Sequence, residues 1–228
     1  MGKNDNGNNG RTELVFVVDR SGSMGGLESD TIGGFNSMLS KQRTIAGECR
    51  VTTLLFDHRI ETLHSHLDIR EVNDLTSRDY WVRGSTALLD AIGLAIDRMI
   101  VTQRHTAAAY RAQHVLFVII TDGYENASRR YSLHQIKQMI TYERERYHWE
   151  FVFLGANIDA EQTAGDFGIS PRCATDFHAD GQGIKASFEA VACAATAVRG
   201  GADLEDLNAP DFLGGVRDDY RSRRRMKR

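Results

Sequence analysis

Two stretches of this 228-residue chain limit its fold more than any other feature. Residues 13–19 read Glu-Leu-Val-Phe-Val-Val-Asp, and residues 114–122 read His-Val-Leu-Phe-Val-Ile-Ile-Thr-Asp. Neither alternates between apolar and polar. Unbroken β-branched and aromatic runs suit strands buried on both faces, the environment inside a parallel sheet covered by helices. Each run ends on an aspartate, Asp19 and Asp122.

The intervening pattern extends the argument. Gly25 and Gly26 open a stretch with Ile32, Phe35, Met38 and Leu39 on one helical face, ending near Gly47, where glycine commonly stops a helix. Residues 50–56 and 59–67 flank Asp57-His58 and read as an antiparallel hairpin at a sheet edge. A long polar connection, 68–84, precedes a helix lined by Leu88, Leu89, Ile92, Ala95, Ile96 and Met99. Ser132 and Gln135 form a capping box for a helix that continues through Tyr147. A buried strand at 150–156, a short helix at 159–167, a weak strand at 172–177 and an Ala-rich helix at 184–198 complete the alternation. The expected fold is α/β, a doubly wound open sheet, mostly parallel with one antiparallel edge strand and with helices on both faces.

In such sheets a site forms outside the carboxyl ends of the strands, where strand order reverses. Asp19-Arg-Ser21-Gly22-Ser23 puts a carboxylate and two hydroxyls in one tight turn, with Gly22 expected to permit it. Thr86, preceded by Gly84 and Ser85, adds a third hydroxyl, and Asp122 with Gly123 adds a second carboxylate from a third loop. All five donors are hard oxygens. They suit Mg²⁺, which takes six oxygens at about 2.0–2.1 Å, with Mn²⁺ or Ca²⁺ as substitutes. The same residue types also favour helix caps and turns without any metal.

The combination Asp19-x-Ser21-x-Ser23, Thr86 and Asp122 resembles the metal-ion-dependent adhesion site of von Willebrand factor A domains. The resemblance spans residues 13–199, between a leader at 1–12 expected to be disordered and an extension with a basic tail at 200–228. The flanks Gly84-Ser-Thr-Ala-Leu-Leu-Asp90 and Thr121-Asp-Gly-Tyr-Glu-Asn126 look like intracellular bacterial or phage members. It implies that Ser21, Ser23 and Thr86 bind the metal directly while Asp19 and Asp122 act largely through water. It further implies that an Asp or Glu of a partner protein completes the coordination, so the activity is binding, in an adaptor or scaffold. Intracellular members often work beside ring-forming ATPases, which makes such an ATPase the family-level expectation for the partner.

Competing readings have less support in the residues. A metal-dependent phosphohydrolase would use Asp19 as nucleophile, but Ser21 stands where such enzymes carry a second aspartate. His58, His64 and His66 suggest a transition-metal site, the last two expected on one strand face, though no carboxylate or cysteine completes a ligand set. Gly181-x-Gly183-x-x-Ala186, with Asp203 downstream, imitates a dinucleotide fingerprint after too weak a strand. Trp81 is either a lid over the site or loop packing.

Charge separates the body from the tail. Residues 217–228 carry seven of the 28 Lys and Arg and two of the 31 Asp and Glu, so the tail is +5 and the remainder −8. An acidic body argues against nucleic-acid binding except through the tail, which is otherwise solvated or meets the body intramolecularly. The three cysteines show no paired spacing, with Cys49 and Cys193 expected to pack as small apolar residues. No apolar run approaches the roughly 18 residues of a membrane span, and a reducing cytoplasmic setting is expected.

Overall fold

All eight residues of β1 (Thr12–Asp19) are buried, as the apolar run requires, and β1 occupies the middle of the sheet. The structure is a computed structural model that describes residues 10–226. The leader expected to be disordered at 1–12 lies outside the described residues up to position 9, while Arg11 bonds Gln113 and Thr12 already belongs to β1. Six strands form one sheet, β1, β2 (Cys49–Phe56), β3 (Ile60–Asp68), β4 (His114–Asp122), β5 (Glu150–Ala156) and β6 (Ala174–Asp176), in the order β3-β2-β1-β4-β5-β6. Only β3 runs antiparallel, and it lies at one edge. The fold is the α/β architecture that the sequence implies.

Helices cover both faces. On one, α1 (Glu28–Arg43) packs against α5 (Gly181–Arg199), and on the other α2 (Leu88–His105) packs against α3 (Leu133–Tyr147), while α4 (Ala160–Asp166) links β5 to β6. Phe16 of β1 meets Phe35 of α1 edge-on at 5.3 Å, and Phe35 meets Phe188 of α5 at 6.2 Å. Gly34 allows this approach, because a Cβ there would lie 2.4 Å from the Phe188 ring. On the opposite face Phe117 stacks on Phe151 at 4.9 Å and on Trp149 at 5.5 Å. The capping box of α3 forms as read, Ser132 accepting from the Gln135 N–H.

Strand order reverses at β1, whose neighbours are β2 and β4. The two runs that end on aspartate are thus adjacent, with Val18 beside Ile120, and their carboxyl ends flank the crevice where α/β sheets place ligands.

Two regions differ from expectation. The β2–β3 pairing contains register shifts around Thr53, and His66 takes a φ of 54°. A bulge inserts an extra residue and breaks strict alternation. His64 consequently bonds the Thr53 hydroxyl at 3.0 Å, while the His66 N–H donates to the Thr52 hydroxyl at 3.1 Å. The His66 ring lies against Glu13, which pairs across the sheet with Arg50, whereas His64 lies against Thr53, which pairs with Phe16; positions three apart on a strand face opposite ways, so the two histidines do not share a face. Among the described residues no three His, Cys, Asp or Glu side chains gather as metal ligands.

The C-terminal extension contains α6 (Gly214–Met226), which carries most of the basic tail and packs against α5 and β6. Leu204, Leu213 and Val216 join the main core. Arg217 donates to the carbonyls of Pro171, Arg172 and Ala174, and Arg223 pairs with Asp180 at 2.5 Å. These arginines meet the acidic body, whereas Arg221 and Arg224 are exposed.

Glu13 is an unusual resident of the sheet interior. Its Oε2 has no hydrogen-bond partner among the described residues, and its Oε1 lies 2.5 Å from His66 Nδ1. Burial pushes its carboxyl up to about 8 against the pull of Arg50; burial likewise holds His66 below the usual histidine range. The folded chain therefore keeps a Glu13 proton that the unfolded chain has already released, so stability falls as pH rises toward 8. His66 acts oppositely only below about pH 6.5. Melting temperature followed from pH 6.5 to 9 should decline more steeply in the wild-type chain than in Glu13→Gln, and parallel curves would contradict this.

Candidate functional site

The site is built at the ends of β1 and β4 by three loops. Asp19, the last residue of β1, has 0% exposure. Its Oδ1 accepts the Ser21 N–H at 2.6 Å, and its Oδ2 accepts the Thr121 hydroxyl at 2.7 Å and the Asp122 N–H at 3.4 Å. Burial pushes the Asp19 carboxyl above its ordinary range, and these donors pull against that. Ser21 Oγ lies 3.0 Å from Ser23 Oγ, and Thr86 Oγ1 is 3.1 Å from Ser21 Oγ. Three hydroxyls from two loops thus form one cluster, with Ser21 and Thr86 buried and Ser23 exposed on the solvent side. The Asp122 carboxyl, also raised by burial, accepts from the Asn157 amide.

Four of the residues expected at the site, Asp19, Ser21, Ser23 and Thr86, are linked by hydrogen bonds, and Asp122 joins them through its N–H to Asp19 while its carboxyl turns to Asn157. The donors in the cluster are all oxygens, three hydroxyls with the Asp19 carboxylate beneath them, which fits a hard divalent cation and gives no soft ligand for a thiophilic one.

The glycines work differently from one another. Gly22 is not left-handed; its N–H donates to the Gly84 carbonyl at 3.1 Å and ties the first loop to the second. Gly84 is the position that needs glycine, with φ at 68° and a Cβ site 2.1 Å from His58 Nδ1. Gly123 also has positive φ, 132°, and approaches Ser23, while Ser85 is simply exposed.

The two flanking motifs interlock. The Thr86 N–H donates to Asn126 Oδ1 at 2.9 Å, and the Asn126 N–H returns to the Thr86 carbonyl at 3.0 Å. Glu125 accepts from the N–H groups of Leu89, Ala127 and Ser128. Asp90 accepts from those of Arg129, Arg130 and Tyr131. The two carboxylates therefore fasten the second loop to the third.

A network that sequence reading missed fastens the first loop to the second. Arg20 lies between the site residues Asp19 and Ser21 and is 1% exposed. Its Nε donates to Asp57 Oδ2 at 3.1 Å and its Nη2 to Glu61 at 2.7 Å. Arg83 Nε also reaches Asp57 Oδ2, at 2.8 Å. Burial pushes the Asp57 carboxyl up, but the Arg83 bond, the Arg59 N–H and the charges of Arg83 and Arg20 outweigh it and hold the carboxyl below its ordinary range. Trp81 lies under the guanidiniums of Arg83 at 4.3 Å and Arg20 at 5.6 Å, so it packs this network. The Tyr80 hydroxyl donates to the Asp19 carbonyl, and the Arg83 N–H to the Arg20 carbonyl. Asp57 follows directly on β2, as Asn157 follows on β5; a polar residue at a strand end was the available signal.

The glycine pattern at 181–186 is accounted for by its helix start. The Asp180 carboxylate accepts the Gly183 N–H at 2.9 Å, and a Cβ on Gly183 would meet the His178 carbonyl. That carboxylate stands where a pyrophosphate would need to approach.

No family model and no curated protein sequence matches the chain. Solved structures do. The von Willebrand factor domain of the type V pili tip protein Mfa5 from Porphyromonas gingivalis superposes with a TM-score of 0.56 at 12% identity, covering 82% of this chain and 95% of that one. Proximal thread matrix protein 1 from the mussel byssus gives 0.55 at 13% identity in a form with a zinc-occupied MIDAS motif, covering 82% of this chain. A von Willebrand factor type A structure from Catenulispora acidiphila gives 0.54 at 10% identity and 80% coverage. This chain spans only 46% of the byssus protein and 42% of the Catenulispora one. The six-stranded sheet with its antiparallel edge is the von Willebrand factor A fold.

Removing Asp57 would leave the buried Arg20 guanidinium with Glu61 as its carboxylate partner among the described residues, and losing one hydrogen bond to a buried charged group costs about 1.5–3 kcal/mol. Urea denaturation of Asp57→Ala should register a loss of about that size, with Asp57→Asn intermediate; a loss below about 1 kcal/mol would mean that the network contributes no more than a surface ion pair.

Proposed function

We propose that this chain is a metal-dependent protein-interaction module. Ser21, Ser23 and Thr86 would hold a divalent cation, Mg²⁺ foremost with Mn²⁺ or Ca²⁺ as substitutes, and a partner's Asp or Glu would complete the site. The observation that carries this reading is the gathering of three hydroxyls, spaced 3.0 and 3.1 Å apart, in front of a carboxylate with no exposed surface. Neutral donors leave a dication's charge largely uncompensated, so a bound cation would supply electrostatic attraction for an external carboxylate. Asp19 and Asp122 orient the loops and add negative potential from behind. The exposure of Ser23 leaves an approach from solvent. The zinc in the MIDAS motif of the byssus protein supports a divalent site in this fold.

The same geometry disfavours the phosphohydrolase. A nucleophilic aspartate must present an oxygen to phosphorus, whereas Asp19 is fully buried and both its oxygens accept hydrogen bonds. That arrangement supports binding over turnover as the activity of the site. Cys49 and Cys173 are buried, Cys193 is exposed rather than packed as expected, and the three are unpaired, which supports a reducing compartment. No helix among the described residues is long and apolar enough to cross a membrane.

Titration of Mg²⁺ into the metal-free chain by calorimetry tests the proposal, with and without acetate as a carboxylate probe. The expected result is saturable binding that acetate tightens. Asp19→Ala should abolish it, and so should Thr86→Val, which deletes one hydroxyl at nearly constant volume and keeps the fold testable. Absence of Mg²⁺ binding by the folded wild-type chain would overturn the reading.

A further inference from the structure

Beside the hydroxyl cluster the surface opens into a groove of about 470 Å³. Its walls include Leu88, Leu89, Ile158 and Phe167, and Tyr124 and Leu133 stand at its rim, 63% and 43% exposed. Large apolar side chains left in water beside a recessed apolar wall are characteristic of binding surfaces.

The groove continues directly from the site. Gly123 lines it, and the Cβ that Gly123 lacks would lie 3.4 Å from Ser23 Oγ. Leu88 follows two residues after Thr86, and Ile158 follows Asn157, whose amide holds Asp122. A segment whose carboxylate reaches the hydroxyls therefore has this groove within reach of its neighbouring side chains.

Charge narrows the occupant further. Asp159 and Asp166 also line the groove; neither forms an ion pair among the described residues, and Asp159 spends one oxygen on the Gln162 N–H as the N-cap of α4. Glu125, the other carboxylate there, is consumed by backbone donors. These acids repel a second carboxylate and favour a cation, so the acidic residue is directed to the hydroxyl cluster and a basic one to the far rim.

We propose that the groove seats a bulky aliphatic or aromatic side chain of the same partner segment whose Asp or Glu reaches the metal site, with a Lys or Arg of that segment meeting Asp159 and Asp166. This rests on the metal-dependent reading above and specifies its partner. An exposed carboxylate contact alone gives little affinity or discrimination, whereas burial of one large apolar side chain changes binding about tenfold or more.

The test is selection of displayed random peptides around one fixed aspartate, on the full chain in Mg²⁺, with elution by chelator. The expected winners carry a Leu, Ile, Met, Phe or Trp at a constant offset from the aspartate and a Lys or Arg beyond it. Leu133→Glu is the matched variant: Leu133 is exposed at the first turn of α3, where a carboxylate is tolerated. It should weaken the winning peptide about tenfold or more while Mg²⁺ titration of the same variant is unchanged. Winners with the carboxylate but no apolar preference, equal binding by Leu133→Glu, or no winners at all would overturn the groove assignment while Mg²⁺ binding still stands. Peptides that survive chelator, or Mg²⁺-dependent self-association through Leu133 seen by sedimentation, would overturn it in favour of another occupant. Loss of Mg²⁺ binding by the wild-type chain would instead overturn the underlying reading and this inference with it.

Discussion

The carboxylate of Asp19 has no exposed surface, and withdrawing such a group from water costs several kcal/mol unless local donors replace the lost hydration. Here the replacement comes from the next strand and the next turn. Thr121 and Asp122 of β4 and the Ser21 N–H all point at one group. The carboxylate thus fixes how the end of β1 sits against the end of β4 and sets the direction in which Ser21 and Ser23 leave the sheet. Everything in front of it depends on that, including the position of the Ser21 hydroxyl to which Thr86 donates.

Around this centre the loops are fastened by charges whose partners are backbone N–H groups or guanidiniums. Asp90 and Glu125 join the Thr86 loop to the loop after β4. Asp57, through Arg20 and Arg83, joins the Thr86 loop to the first loop. Such clamps hold the hydroxyls near one another before any ligand arrives, which lowers the ordering cost of binding. The price is a set of buried acids whose stability depends on every clamp being intact.

Much of this was legible in the chain. The two apolar runs ending on aspartate gave parallel central strands, and strand-end position alone then brought Asp19 and Asp122 together. Two features were hidden for definite physical reasons. Alternation cannot reveal a bulge, so His64 and His66 read as neighbours on one face although Thr53 and Glu13 hold their rings on opposite faces. Arg20 and Asp57 are 37 positions apart, and an arginine at a variable motif position carries no spacing signal. The basic tail read as a charge run because the apolar residues just before it, Leu213 and Val216, do not form a long stripe, yet they join the core beside Arg217 and Arg223.

The account stands on the claim that one divalent cation sits among Ser21, Ser23 and Thr86. Diffraction from crystals of the full chain grown in Mn²⁺, recorded near the manganese absorption edge, tests it most directly. The account predicts a single strong anomalous peak at about 2.2 Å from these hydroxyl oxygens, with Asp19 outside direct coordination. A map without that peak at saturating Mn²⁺, or with the metal bound directly to both Asp19 and Asp122, would contradict it.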